Sequence, residues 1–273
     1  RRIWLDPALS EVTIEADDPK SAVGQKGTNI QQLRNEIGWL VNVVRAPARE
    51  SRTQTDIRRF RKELADERKT LLRKFGTRIY RPQRPGPSWV RVTALGSYRE
   101  VGRAMHLITT NESKVLVDCG AKPTNNRSEV QPFFAAPEML PLDNIDAVVI
   151  THAHVDHIGM LPVLFRYGYK GPVYCTQPTR DLMTLLQMDY IKVAQAEGNE
   201  APYSKSDIQE CIKHVVDVNW GEKTDIAPDI KMTMENAGHI LGSSSVYMQI
   251  GEGRSEHKLL FSGDIKYEKS WLF

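Results

Sequence analysis

The stretch Thr151-His152-Ala153-His154-Val155-Asp156-His157-Ile158-Gly159, placed directly after the apolar run Ala147-Val148-Val149-Ile150, constrains this chain more than any other feature. Side chains two apart on an extended segment point the same way, so His152 and His154 can hold one cation together. Asp156 and His157 fall where the chain turns into a helix, which redirects their side chains toward a second cation. A lone histidine is usually structural or simply surface-exposed. Three histidines and an aspartate within six residues, at the end of a strand, have metal binding as their simplest common purpose.

Four residues cannot complete two metal sites, so further ligands must arrive from other strand ends. Ala237-Gly238-His239-Ile240-Leu241-Gly242-Ser243 presents a histidine between glycines, and Leu259-Leu260-Phe261-Ser262-Gly263-Asp264 ends an apolar strand on a carboxylate. Taken singly, each is an ordinary loop residue; their weight lies in combination and order. Leu116-Val117-Asp118-Cys119-Gly120 puts another acid at a strand end ahead of the cluster, placed to support the histidine loop from outside the ligand set.

Composition is that of an ordinary water-soluble protein, with 40% hydrophobic and 26% charged residues and no apolar run long enough for a membrane span. Three cysteines, Cys119, Cys175 and Cys211, lie far apart, which argues against a disulfide scaffold and for a reducing, cytoplasmic setting. The opening Arg1-Arg2-Ile3-Trp4-Leu5 has neither an initiator Met nor a leader pattern, so the chain reads as a fragment. Net charge is only +3, yet residues 45–84 hold fourteen Lys/Arg against five Asp/Glu. That density suits a polyanion, and its bland alternative is a solvated helix face.

The first 46 residues or so read as strand, strand, helix, glycine loop, helix, strand. Glu11 to Glu15 alternates as a strand, Asp17-Asp18-Pro19 opens a helix, and Gly24-Gln25-Lys26-Gly27 breaks it. Ile30, Leu33 and Ile37 then recur at helical spacing, Gly38 ends the helix, and Trp39 to Val44 is expected as a buried strand. Thr55 to Phe75 is expected as one basic helix whose outer face carries Arg58, Arg59, Arg61, Lys62, Arg68 and Lys69. The run Arg81 to Pro87 forbids regular structure and marks the expected boundary. Beyond it, strands alternate with helices, as in a layered α/β domain. The expected division is a module at 1–50, a basic helix with proline-rich linker at 51–87, and the metal-binding domain at 88–273.

The series Asp118, His152-x-His154-x-Asp156-His157, His239 and Asp264 resembles the ordered motifs of the metallo-β-lactamase superfamily. That resemblance implies an αββα fold, here incomplete at its C-terminus, with two Zn2+ ions: His152, His154 and His239 on one, Asp156 and His157 on the other, and Asp264 bridging. The stretches Ala94 to Arg103, His157 to Pro162 and Ala237 to Ser243 resemble the β-CASP nucleases of that superfamily. Gly24, Gln25, Lys26 and Gly27 between two short helices are similar to the Gly-x-x-Gly loop of a KH domain, where bare backbone approaches phosphates. KH plus β-CASP resembles the archaeal cleavage and polyadenylation specificity factor homologues. The resemblance implies a zinc-dependent ribonuclease that binds single-stranded RNA in 3'-end processing or transcription termination and is a homodimer when full length. Asp156 would be catalytic with support from Asp118, while Arg58, Arg59, Arg61 and Lys62 would join the KH loop on RNA. A chain ending at Phe273 is then expected to fill its second metal site incompletely and to cleave weakly. The other readings are a non-catalytic RNA-binding scaffold and a small-molecule hydrolase; the latter leaves the KH-like region and the basic segment unexplained.

Overall fold

In the computed structural model the described residues are 2–83, 89–122 and 130–268, so most of the expected proline-rich linker lies outside them. Two compact units are present, Arg1–Lys74 and Phe75–Phe273. Their division falls inside a helix rather than at the prolines. The helix continues because nothing in Leu71 to Ile79 breaks it.

The first unit is a three-stranded sheet in the order β1-β2-β3, with β1 (Arg2–Asp6) antiparallel to β2 (Glu11–Ala16) and β3 (Leu40–Arg45) parallel to β2. Between β2 and β3 come α1 (Pro19–Val23), capped by the Asp18 carboxylate on the Lys20 N–H, and α2 (Thr28–Ile37), which ends on left-handed Gly38. These helices pack on β2 and β3. β3 is less buried than its apolar sequence predicts: Val41 is covered, but Leu40 and Val44 are 51% and 40% exposed. It is an edge strand, and alternation turns its other face away from the helices.

The expected single basic helix is two, α3 (Arg52–Glu63) and α4 (Ala65–Ile79), separated at Leu64, where the backbone leaves the helical region. The break changes what the basic residues do. Arg68 sends Nη1 to both oxygens of Asp6 at 3.0 and 2.9 Å, and Arg61 reaches the same carboxylate at 3.3 Å. Arg58 donates to Glu15 at 2.6 Å and lies over the Trp4 ring. Arg61 and Arg68 are therefore buried, at 4% and 1% exposure, and Arg58 is engaged, contrary to the expected outer basic face. Carboxylates on the sheet claim these guanidiniums because a buried charge needs a partner. Only Arg59, Lys62 and Lys69 of the named set are exposed.

The second unit pairs two sheets. One has six strands in chain order: β4 (Arg91–Gly96), β5 (Met105–Thr109), β6 (Lys114–Val117), β7 (Ala147–Val149), β8 (Val173–Cys175) and β9 (Val215–Asp217). It is antiparallel up to β6 and parallel from β6 to β9. The other is an antiparallel meander of β10 (Lys223–Ala227), β11 (Ile230–Asn236), β12 (Ser244–Ile250) and β13 (His257–Phe261).

Alternate residues of each sheet meet in one core, Val115, Val117, Ala147 and Val149 facing Met232, Met234, Val246 and Met248. Their neighbours Leu116 and Val148 are equally buried on the opposite face of the six-stranded sheet. On that side run α5 (Val155–Ile158), α6 (Leu161–Arg166), α7 (Gln177–Ala196) and α8 (Lys205–His214), the connections that parallel pairing requires. Among the described residues no helix of this unit covers the outer face of the four-stranded sheet, where Leu260 is 65% exposed, so they supply the α, β and β layers of the expected αββα order. No described helix is long and apolar enough to cross a membrane.

Replacing Asp6 by Ala leaves two buried guanidiniums without their carboxylate. We expect a loss of about 3 kcal/mol in urea unfolding, toward the low end for a broken buried pair because Asp6 keeps part of its surface in water. Arg59→Ala, at an exposed position, is expected to change stability by less than about 0.5 kcal/mol.

Candidate metal centre

The strands of the six-stranded sheet stop at a common edge, and the sequence-predicted ligands gather there. β6 is followed directly by Asp118, a residue in the left-handed region at φ 61, which turns its carboxylate back toward the loop after β7. Cys119 and Ala121 hold that loop down: Cys119 N donates to His157 O at 2.8 Å and Ala121 N to Val155 O at 2.9 Å. Gly120 has to be glycine, since a Cβ there would stand 1.6 Å from the carbonyl oxygen of Asp156. Asp118 itself is buried at 3% exposure. It accepts from Thr151 N at 2.8 Å and Thr151 Oγ1 at 2.9 Å, and from His157 Nδ1 at 2.8 Å.

His239 comes from the other sheet, in the turn between β11 and β12. The Ser243 hydroxyl accepts from His239 N at 3.1 Å and Ile240 N at 3.2 Å, closing the turn. Its far end is latched to the start of α7, where the hydroxyls of Thr176 and Thr179 both donate to Gly242 O, at 2.7 and 2.9 Å. Asp264 follows β13.

The result is a convergence of ring nitrogens. His152 Nε2 and His239 Nε2 each lie 3.1 Å from His154 Nδ1. A neutral imidazole nitrogen has one proton or one lone pair, so His154 Nδ1 cannot satisfy two such neighbours by proton sharing. A cation can: donors about 2.0 Å from a tetrahedral metal stand roughly 3.3 Å apart. Asp264 Oδ2 completes this group, 3.5 Å from His239 Nε2 and 3.8 Å from His152 Nε2. Its other oxygen, Oδ1, is 3.6 Å from His157 Nε2, which in turn is 3.8 Å from Asp156 Oδ2. The two oxygens of Asp264 thus face different histidines, and His152, His154, His239 and Asp264 form a set that could hold a metal ion.

Protonation follows position. Burial, then the charge of His157, holds His152 down at about 3, so its ring is neutral and ready to ligate. His154 is lowered by burial and by neighbouring His239. For His157 burial pulls downward, but the charge and hydrogen bond of Asp118, then Asp156 and Asp264, outweigh it and hold the imidazolium up to about 9.

All six predicted ligands and Asp118 are therefore brought together. Gly24, Gln25, Lys26, Gly27, Arg58, Arg59, Arg61 and Lys62 belong to the first unit. Thr151, Ser243, Thr176 and Thr179 have no role in the sequence reading. Thr151 and Ser243 stand inside stretches already singled out for their histidines, and hydroxyl residues carry no spacing rule that would mark them.

Two outcomes follow. The protein is expected to carry divalent metal by elemental analysis and to lose it in the double variant His152→Ala, His154→Ala; equal metal in both would remove these residues from the site. In metal-free protein, His157 contributes stability fully below its ordinary value of 6.5 and loses it as pH rises through about 9. His152 contributes fully above 6.5 and loses it as pH falls toward about 3. Their joint contribution peaks near pH 6.5, to be checked by thermal melts in chelator; a melting temperature still climbing between pH 7 and 9 would count against the Asp118–His157 pair.

A family model described as metallo-beta-lactamase superfamily domain matches residues 107–269. Transcription termination factor FttA of Methanosarcina mazei is 48% identical over 270 residues, 99% of this chain and 42% of that protein. The proteins of that name from Methanocaldococcus jannaschii and Thermococcus kodakarensis are 45% and 44% identical, over 98% and 99% of this chain and 42% of each relative. This chain spans less than half the length of these curated relatives. A solved structure, native FEZ-1 metallo-beta-lactamase from Legionella gormanii, is a distant likeness, with TM-score 0.44 and 15% identity over 71% of each chain. The candidate ligands arrive from both sheets in the order the sequence motifs imply, and the family match takes in all six: this chain belongs to the metallo-β-lactamase superfamily.

Proposed function

We propose that this chain is part of a zinc-dependent ribonuclease that cleaves RNA in transcription termination in the archaeal cytoplasm. Superfamily membership and the His/Asp group make it a metal-dependent hydrolase; the substrate and the metal are the further step. The observation that carries the reading is the split engagement of Asp264, one oxygen toward His152 and His239, the other toward His157. A carboxylate shared in this way suits a two-ion centre, of the kind that serves phosphodiester hydrolysis. His152, His154, His239 and Asp264 would hold one Zn2+, and Asp156, His157 and Asp264 the other. When bound, such ions would stabilise charge on phosphoryl oxygens and lower the pKa of bound water toward about 7. Asp156 keeps 29% of its side chain exposed, enough to orient the attacking water and receive its proton.

The first unit supports RNA as the substrate class. Gly24 and Gly27 sit at φ 78 and 80, with Lys26 also left-handed at φ 51, and Gln25 and Lys26 are exposed. At φ 78 and ψ 171 Gly24 adopts a conformation that favours glycine, which leaves bare backbone there. A Gly-x-x-Gly turn between two helices on a three-stranded sheet is the arrangement with which KH domains clamp single-stranded backbone. The relatives' name supplies the process. Of the basic helix, Arg59 and Lys62 remain suited to phosphate contact, whereas Arg58 and Arg61 are tied to Glu15 and Asp6.

In the protein extended to the relatives' full length, we expect zinc-dependent cleavage of end-labelled single-stranded RNA. His154→Ala should abolish cleavage with RNA affinity within about twofold, and Gln25→Asp with Lys26→Asp should weaken binding at least about tenfold while leaving metal content unchanged. Cleavage that survives His154→Ala would sink the reading.

A further inference from the structure

Thr151 is 1% exposed, so its hydroxyl must find every partner inside the protein. Four atoms surround Oγ1: Asp118 Oδ2 at 2.9 Å and Oδ1 at 3.1 Å, His152 Nδ1 at 3.0 Å, and His157 Nδ1 at 3.4 Å. A hydroxyl has one proton and two lone pairs, and a carboxylate only accepts. The hydroxyl proton therefore goes to Asp118, leaving Oγ1 as an acceptor toward His152. His157 resolves differently: its Nδ1 is closer to Asp118 Oδ2, at 2.8 Å, and donates there directly.

We infer that Thr151 is a positioning residue whose hydroxyl, oriented by Asp118, holds His152 in the Nδ1–H tautomer and so turns the lone pair of Nε2 into the ligand cluster. The alternative tautomer would place an N–H on Nε2, 3.1 Å from His154 Nδ1, and leave Nδ1 and the carboxylate competing for one hydroxyl proton. Asp118 then governs one histidine in each ligand group, His157 directly and His152 through Thr151. Because only the route to His152 passes through Thr151, removing its hydroxyl should weaken the group of His152, His154 and His239 while the Asp118–His157 bond persists. Partners of this kind are worth about 10- to 100-fold in metal affinity.

The inference rests on the metal-centre reading, and the test separates the two. In protein labelled with 15N-histidine, long-range proton–nitrogen correlation spectra taken before metal is added report the tautomer of His152, assigned by its loss in His152→Gln. Wild type and Thr151→Ser should show Nδ1–H, and Thr151→Val should not. In competition with a chromophoric chelator, Thr151→Val should bind Zn2+ about 10- to 100-fold more weakly at its first site, with Thr151→Ser within about threefold of wild type. An Nε2–H tautomer in the wild type, or a folded Thr151→Val with unchanged affinity, overturns the proposal. Should Thr151→Val fail to fold, the wild-type tautomer and the serine variant decide. A wild type that binds no Zn2+ defeats the metal-centre reading, while the tautomer still reports on Thr151.

Discussion

The buried carboxylate of Asp118 accepts a backbone N–H and a hydroxyl from Thr151 and a ring N–H from His157, and the loop that carries four candidate ligands is built around those bonds. A charge this deep in the protein is tolerated only because donors surround it. The converse also holds: the donors cannot move without stranding the charge. That mutual dependence gives the histidine loop the rigidity a metal site needs, and it explains why Asp118 adopts a left-handed backbone that costs energy elsewhere.

Rigid support comes from more than one direction. Beneath the loop, Gly120 lets the backbone of Asp156 come closer than any side chain would permit. From the opposite sheet, His239 is held by Ser243 at one end of its turn and by Thr176 and Thr179 at the other. The two sheets share a single core of interleaved aliphatic and methionine side chains, so the distance between His239 and the β7 loop is set by packing. Three ring nitrogens at 3.1 Å spacing are the consequence.

The first unit is organised by the same logic with a different result. Asp6 and Glu15 on the sheet recruit Arg58, Arg61 and Arg68 from the following helices. A charge count over residues 45–84 cannot separate cations that neutralise internal carboxylates from cations that face solvent. Much of the apparent basic surface is interior ion pairing, and the capacity for a polyanion is concentrated in fewer residues than the count suggests.

Along the chain, the residues that converge at the candidate metal centre were legible from residue type and order: His-x-His on an extended segment, Asp-His at a helix start, and a histidine and an aspartate at later strand ends. Strand and helix periodicity from Val92 to Ala194 was legible too, because alternation and helical spacing are local. Three matters were decided only in three dimensions. The split at Leu64 and the burial of Arg61 and Arg68 depend on where Asp6 lies across the sheet. The role of Thr151 depends on Asp118 arriving from a strand more than thirty residues earlier. The division of Asp264 between two ligand groups depends on which way each oxygen faces. Sequence determines which chemistry is available, since ligand type and local period are written residue by residue; which of those residues meet, and through which atom, is settled by packing between segments far apart in the chain.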